Sequence, residues 1–309
     1  MSSTKIAVIG QPNVGKTSIL NVLKQDYEST IAISPTKGVE RNFMNVLGQE
    51  LVIWDFGGQE KYQEKYLQDP EKYFDNIKYL YFVVDARNLD NIQHDLEYFK
   101  KIYSFAGKYN QSMKISIIFN KIDPELDFKS VLINRCATIF DSFAELVDQS
   151  KHYLTVFYTS IYEPMSIIVG FSEILVEARL RETVKRKLEE VVIDENPYYQ
   201  SVLIDNFLEL AHVEFGAGSK KELSEEIMEE IIKVKSNFIK NAWISLKSAA
   251  DKGIMIEDHF IRVFPIKMAK TEYLYLFGIK NPDDTQKQKL NALLPKIGEE
   301  ISQLIRGFS

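Results

Sequence analysis

Gly10-Gln11-Pro12-Asn13-Val14-Gly15-Lys16-Thr17 sets two glycines, a lysine and a hydroxyl residue at the spacing G-x-x-x-x-G-K-[ST]. The apolar run Ile6-Ala7-Val8-Ile9 precedes it and Ser18-Ile19-Leu20-Asn21-Val22-Leu23 follows, so a turn joins a buried strand to a helix. The chemistry this permits is capture of a polyphosphate. Backbone N–H groups from Asn13, Val14 and Gly15 through Ser18 face one anion at the helix N-terminus, and Lys16 adds a full positive charge. Gly10 and Gly15 let the backbone approach oxygen closely. Thr17 offers its hydroxyl to a Mg²⁺ that bridges phosphate oxygens.

Two further polar groups extend this chemistry. In Asp55-Phe56-Gly57-Gly58-Gln59-Glu60, an aspartate ending a strand beside the loop can hold Mg²⁺, often through water, and the Gly58 N–H can reach a γ-phosphate. Gln59 would orient an attacking water, since a neutral amide accepts protons too weakly to act as a strong base. Asn120-Lys121-Ile122-Asp123 adds base recognition. A carboxylate accepts two N–H bonds from the guanine edge, at N1 and the exocyclic N2, whereas adenine has no such donor pair. Asp123 therefore selects guanine. Taken alone the tetrapeptide also suits a solvated turn; at a strand end downstream of a phosphate loop, base reading is favoured.

The elements that must position these groups are legible as strands alternating with helices. Asn42 to Asp55 is two strand-like runs about a Gly48-Gln49 turn, a hairpin ending on an acid. Tyr79 to Asp85 and Lys114 to Asn120 are near-continuous apolar runs, as expected of parallel strands buried on both faces. Val156 to Ile161 closes a further strand, and Ile92 to Phe105 is a helical pattern between them. The result is an α/β, doubly wound, mostly parallel sheet, whose ligands bind at the carboxyl ends of the strands, where every polar motif falls. The Pro/Gly-bearing stretch Ile31 to Gly38 reads as a loop.

At 309 residues the chain suits two domains. Its 38 basic and 44 acidic residues leave a formal net charge of −6 with the signs mixed, which argues against wholesale binding to nucleic acid. The single cysteine, Cys136, excludes a disulfide framework and reads as a small core residue. No apolar run approaches the roughly 20 residues of a spanning helix. Ser2 follows the initiator and the chain closes on Arg306-Gly307-Phe308-Ser309, so no intrinsic membrane anchor is expected. A cytoplasmic protein, recruited to a membrane surface only through a partner, is the expectation.

Residues 1 to about 175 resemble the Ras-like small GTPases. Trp54-Asp55-Phe56-Gly57-Gly58-Gln59 and Pro35-Thr36-Lys37-Gly38 look like the Arf and Rag branches, and Tyr66 to Tyr98 with Thr159-Ser160-Ile161 looks like the Rag/Gtr family. The resemblance implies binding of GTP and GDP with Mg²⁺, slow hydrolysis, and two loops that order around the γ-phosphate, one holding Thr36 and the other Gly58 and Gln59. It places Thr36 with Thr17 and Asp55 as metal ligands and puts Ser160 and Ile161 beside the base with Asn120, Lys121 and Asp123. It also implies an exchange factor and a GTPase-activating protein. Pro12 stands where many relatives have glycine, which bears on intrinsic rate, because proline lacks an N–H. Ser34 occupies the place of a cis arginine finger, a group worth about 10³ to 10⁵ in rate, and Arg41 nearby reads as solvated. A scaffold subunit that holds nucleotide without turnover is the competing reading; a metabolic kinase is poorer, having no use for the guanine and Gly-Gly-Gln elements.

The second domain starts near residue 180, giving a nucleotide domain over 1–180 and a smaller α+β domain over 181–309. Phe171 to Val192 reads as helix, Ser201 to Asp205 and Phe207 to Val213 as a hairpin, and Leu223 to Ala242 as an amphipathic helix. Three strands at 254–256, 260–264 and 273–277 and a closing helix over Leu290 to Ile305 follow. This order resembles the roadblock/longin module of Rag proteins, which implies homo- or heterodimerisation with a related GTPase. Isolated His212 and His259 read as strand-face residues and not as metal ligands.

Overall fold

The computed structural model describes residues 4–24, 34–46, 49–175, 182–184, 186–187, 198–204, 209–216, 254–256, 259–267 and 272–308. The chain divides into two compact units, one of Met1–Asn45 with Gln49–Ile174, the other of Val46–Gly48 with Leu175–Ser309.

The first unit is built on a six-stranded sheet. Its strands are β1 (Thr4–Ile9), β2 (Val39–Val46), β3 (Gln49–Phe56), β4 (Ile77–Asp85), β5 (Lys114–Asn120) and β6 (Tyr153–Thr159), in the order β2-β3-β1-β4-β5-β6. β1 runs parallel to β3 and β4, and β4, β5 and β6 are parallel in turn. β2 and β3 are neighbours joined by two residues, a link only antiparallel strands can make. The apolar run of β4 lies between β1 and β5 and is buried along almost its whole length, the position a strand without polar alternation must take.

Among the described residues six α-helices belong to this unit: α1 (Lys16–Leu23), α2 (Glu60–Gln68), α3 (Pro70–Phe74), α4 (Ile92–Tyr109), α5 (Lys129–Ala144) and α6 (Pro164–Leu175). On α4 the buried residues Asp95, Tyr98, Phe99, Ile102 and Ala106 recur at helical spacing, so the stripe is apolar except at its first member. Phe99 and Phe143 of α5 meet edge to face at 5.2 Å and both pack on Phe82 of β4. Cys136 is fully buried in this core, as expected. Helix α6 begins at Pro164, earlier than the expected Phe171, because proline is pre-organised for a first turn where its missing N–H costs nothing.

The second unit holds a five-stranded sheet in the order β8-β7-β11-β10-β9, each adjacent pair antiparallel: β7 (Tyr198–Ile204), β8 (Glu209–Gly216), β9 (Ile254–Ile256), β10 (His259–Lys267) and β11 (Glu272–Lys280). The closing helix α7 (Asp284–Phe308) buries Leu290, Leu294, Ile297 and Ile301 on one stripe. A capping box starts it: Asp283 Oδ1 accepts from Gln286 N at 2.7 Å, and Gln286 Oε1 accepts from Asp283 N at 3.0 Å. The expected hairpin, three strands and closing helix are thus present, while the helix expected over Leu223 to Ala242 lies outside the described residues. Among the described residues no helix is long and apolar enough to cross a membrane.

Candidate phosphate and base site

All the polar motifs emerge at the carboxyl edge of the parallel strands. Register alone explains much of this: Asp85, Asn120 and Thr159 are paired across β4, β5 and β6, so three motif residues form one row. Gly15 caps α1 in the left-handed region, with φ 96°, and a Cβ on it would stand 2.3 Å from Asn120 Nδ2. Only glycine fits there. Asn120 Nδ2 donates to Val14 O at 2.8 Å, and its Oδ1 accepts from Thr159 Oγ1 at 3.1 Å. Lys121 Nζ donates to Asn13 O at 2.7 Å and pairs with Asp85 at 2.6 Å. Both residues assigned to the nucleotide also brace the phosphate loop from outside.

The loop presents the donors that an anion needs. The first intrahelical bond of α1 runs from Ile19 N to Gly15 O, so the N–H groups of Lys16, Thr17 and Ser18 precede it without intrahelical acceptors. Lys16 is buried, and its Nζ donates to Gly10 O at 3.0 Å and Gln11 O at 2.7 Å. Burial pushes its pKa down to about 8, against the opposing pull of Asp55 and Asp95.

Oxygen atoms converge beside it. Thr17 Oγ1 donates to Asp55 Oδ2 at 2.7 Å, Thr36 Oγ1 reaches the same oxygen at 3.3 Å, and the two hydroxyls are 3.0 Å apart. Among the described residues Asp55 Oδ1 is buried with no hydrogen-bond partner, and burial raises the pKa of this carboxyl. An all-oxygen set with an orphaned carboxylate oxygen fits a hard divalent cation such as Mg²⁺, which takes one or two carboxylates and completes its shell with water and phosphate. Among the described residues no cluster of three His, Cys, Asp or Glu offers another metal site.

Thr36 and Gly58 lie at one junction. Gly57 N donates to Gly38 O at 2.8 Å, joining the segment after β3 to the segment carrying Thr36. Gln59 caps the N-terminus of α2, and its side-chain amide has no hydrogen-bond partner among the described residues. Arg41 is exposed, as expected, but its guanidinium lies over the Trp54 ring, 4.3 Å from the centroid.

On the base side, Ser160 Oγ donates to Asp123 Oδ1 at 2.6 Å, and Tyr162 N donates to Ser160 Oγ at 3.1 Å. Ile161 lies in the turn between them. Arg87, which sequence reasoning did not single out, forms an ion pair with Asp123 and donates from Nε to Lys121 O at 3.3 Å. Through Nη2 it gives Asp123 Oδ2 an N–H donor, the kind of group that the guanine edge also carries. Asp95 was also missed: it is buried, its Oδ1 has no partner among the described residues, and its pKa is pushed up to about 6, chiefly by burial and then by Asp85.

A doubly wound sheet with a phosphate loop after its first strand, an Asp-x-Gly-Gly-Gln turn after its third and an Asn-Lys-x-Asp turn after its fifth defines a P-loop G domain. Comparison with known proteins gives the particular branch. Residues 5–240 match the Gtr1/RagA G protein conserved region, and the chain belongs to that family. It is 27% identical over 167 residues to the Ras-related GTP-binding protein A of Dictyostelium discoideum, covering 52% of each chain. It is 24% identical over 123 residues to GTP-binding protein gtr1 of Schizosaccharomyces pombe, covering 38% of this chain and 40% of that one. ADP-ribosylation factor-like protein 2 of Arabidopsis thaliana is 31% identical over 172 residues, which cover 54% of this chain and 83% of the relative. The chain thus spans about half the length of the Rag-type relatives it matches.

Proposed function

We propose that the chain is a molecular switch that binds GTP or GDP with Mg²⁺, hydrolyses GTP slowly, and dimerises through its C-terminal unit. The observation that carries this reading is the meeting of the Thr17 and Thr36 hydroxyls on Asp55 Oδ2, with the other oxygen of that carboxylate orphaned among the described residues and the buried Lys16 next to Thr17 in the chain. When bound there, Mg²⁺ would offset phosphate charge. Thr17, Thr36 and Asp55 would hold it, Lys16 and the first N–H groups of α1 would bind the phosphates, and Asp123 with Ser160 would read guanine. Gln59, its amide free of other partners among the described residues, would orient the attacking water. The Thr36 and Gly58 segments, already joined at Gly38 and Gly57, are the parts that would order with a γ-phosphate and release after hydrolysis.

Gln59→Leu tests the enzymatic half. Single-turnover GTP hydrolysis should fall by roughly 10-fold or more while GDP affinity is kept, because the leucine can neither donate to nor accept from water. Turnover equal to wild type would remove Gln59 from the mechanism. No hydrolysis by wild type, with nucleotide still bound, would favour the non-catalytic scaffold that Pro12 makes the leading alternative.

The absence of an arginine finger in cis at Ser34 leaves stimulation to an activating partner, and the sluggish release expected of a bound nucleotide leaves exchange to another. The C-terminal unit is read as roadblock/longin-like. Among the described residues β8 and β9 are the outer strands of its sheet, and an outer strand offers unpaired backbone groups to a second copy or a related GTPase. Light scattering at micromolar concentration should return the mass of a dimer for the chain alone or mixed with such a partner; a monomer in both samples would sink the dimer reading. Cytoplasmic residence, with any membrane contact made by a partner, completes the proposal.

A further inference from the structure

Helix α2 starts behind its cap Gln59 and carries Gln63 and Tyr66 four and seven residues further on, so these three side chains share one face. Gln63 and Tyr66 grip the two peptide planes that flank Gly58. Tyr66 Oη donates to Gly38 O at 2.7 Å and lies 3.3 Å from Gly57 O. The Gly57 carbonyl and the Gly58 N–H belong to one trans peptide and point opposite ways, so holding the first directs the second. Gln63 Nε2 donates to Gly58 O at 2.7 Å, which sets the plane of the Gly58–Gln59 peptide. Its other N–H goes to Gln11 Oε1 at 2.8 Å, inside the phosphate loop. Because a carbonyl can only accept, the bond to Gly58 settles which end of the Gln63 amide is nitrogen. Gly58 also packs against that loop with no room for a side chain: a Cβ would stand 2.5 Å from Gln11 C and from Pro12 N.

We propose that Gln63 is a positioning residue for hydrolysis: with Gln11 it fastens the Gly58–Gln59 peptide to the phosphate loop, presenting the Gly58 N–H and the Gln59 amide as a unit. This rests on the reading of the chain as a GTP hydrolase. The fastened groups are ones that only a third phosphate and its attacking water would meet. Gln63 therefore matters for turnover of GTP and not for holding GDP, a split that a merely structural residue would not produce.

Gln63→Glu keeps the shape but sets a carboxylate against two acceptor oxygens, whereas Gln63→Lys restores N–H donors to both. In the full chain, Gln63→Glu should slow single-turnover GTP hydrolysis about tenfold, the scale of one hydrogen bond left unmade at a part-buried site. GDP affinity, measured with a labelled nucleotide, should stay within about twofold of wild type, and Gln63→Lys should recover most of the rate. Gln11→Leu should slow hydrolysis as well, and the Gln11→Leu/Gln63→Glu pair should lose no more than Gln63→Glu alone, since both remove one tether. Wild-type turnover in Gln63→Glu, an equal loss of GDP affinity, or a lysine variant no better than the glutamate one would each overturn the proposal. A wild-type chain that binds guanine nucleotide without turning it over would instead defeat the hydrolase reading beneath it.

Discussion

Lys16→Ala is expected to abolish useful nucleotide binding while leaving the chain folded. Lys16 is 7% exposed, and burial lowers its pKa to about 8, so its ammonium is a charge short of solvent. Its two hydrogen bonds go to the neutral carbonyls of Gly10 and Gln11, and Asp55 and Asp95 act on it only through space. A phosphate supplies the counter-ion this environment lacks. Removing one partner of a buried, hydrogen-bonded charge pair costs about 2–5 kcal/mol, or roughly 30- to 5,000-fold in affinity. The carbonyls of Gly10 and Gln11 would also lose their donor, loosening the loop that aims the N–H groups of α1. Lys16→Met separates these effects from packing, because it keeps an unbranched side chain without the charge. Titration of labelled GDP with Mg²⁺ should show the loss in both variants, with melting temperatures near wild type. Affinity unchanged in both would place the phosphates elsewhere.

The motifs legible in the sequence are those whose members are contiguous and stand at strand ends. Lys16, Thr17, Asp55, Gln59, Asn120 and Asp123 can be named as candidates from sequence because a phosphate, a cation and a base edge each demand particular atoms at short spacing. The second tier was not legible. Helix α2 buries only Tyr66, so its sequence carries no apolar period to reveal it, and Gln63 looks like any solvated glutamine until the backbone turns it onto Gly58. Arg87 and Asp123 are 36 residues apart in sequence, and the pairing of Asp85 with Asn120 followed by the 3₁₀ turn of Ala86–Asn91 brings them together. Asp95 sits at the head of an otherwise apolar helical stripe, where periodicity counts a carboxylate as an exposed residue, yet it is buried. Asn120 and Lys121 were assigned to the nucleotide alone, yet their bonds to Val14 O and Asn13 O also couple base site to phosphate loop. In the second unit the order of elements could be read, since alternating and helical periods are local. Which strands neighbour one another, with β11 between β7 and β10, could not.

That coupling makes the second large prediction, Asp123→Asn, a test of the base site with a built-in control. Asp123 is 8% exposed, and Ser160 Oγ donates to its Oδ1, while the Arg87 guanidinium meets its Oδ2. The carboxylate thus already accepts a donor at each oxygen, the O–H of Ser160 at Oδ1 and an N–H of Arg87 Nη2 at Oδ2. An asparagine held by the same serine keeps its oxygen toward Ser160 and turns an amide N–H₂ to the base. Guanine then meets donor against donor at N2, whereas xanthine has an oxygen there and regains the bond. Sites built to hydrogen-bond one edge reject the mismatched edge by up to about 10⁴–10⁵, so a fall of at least two orders of magnitude in GDP affinity, with xanthosine diphosphate becoming the tighter ligand, is expected. The lost ion pair adds little, because Arg87 is 48% exposed and surface pairs are worth about 0–1 kcal/mol. Since Asn120 and Lys121 still brace the phosphate loop, competition by inorganic pyrophosphate should match wild type. Displacement of labelled nucleotide by GDP and xanthosine diphosphate reads the result directly: a retained guanine preference would mean that Asp123 does not face the base, even with the phosphates correctly seated.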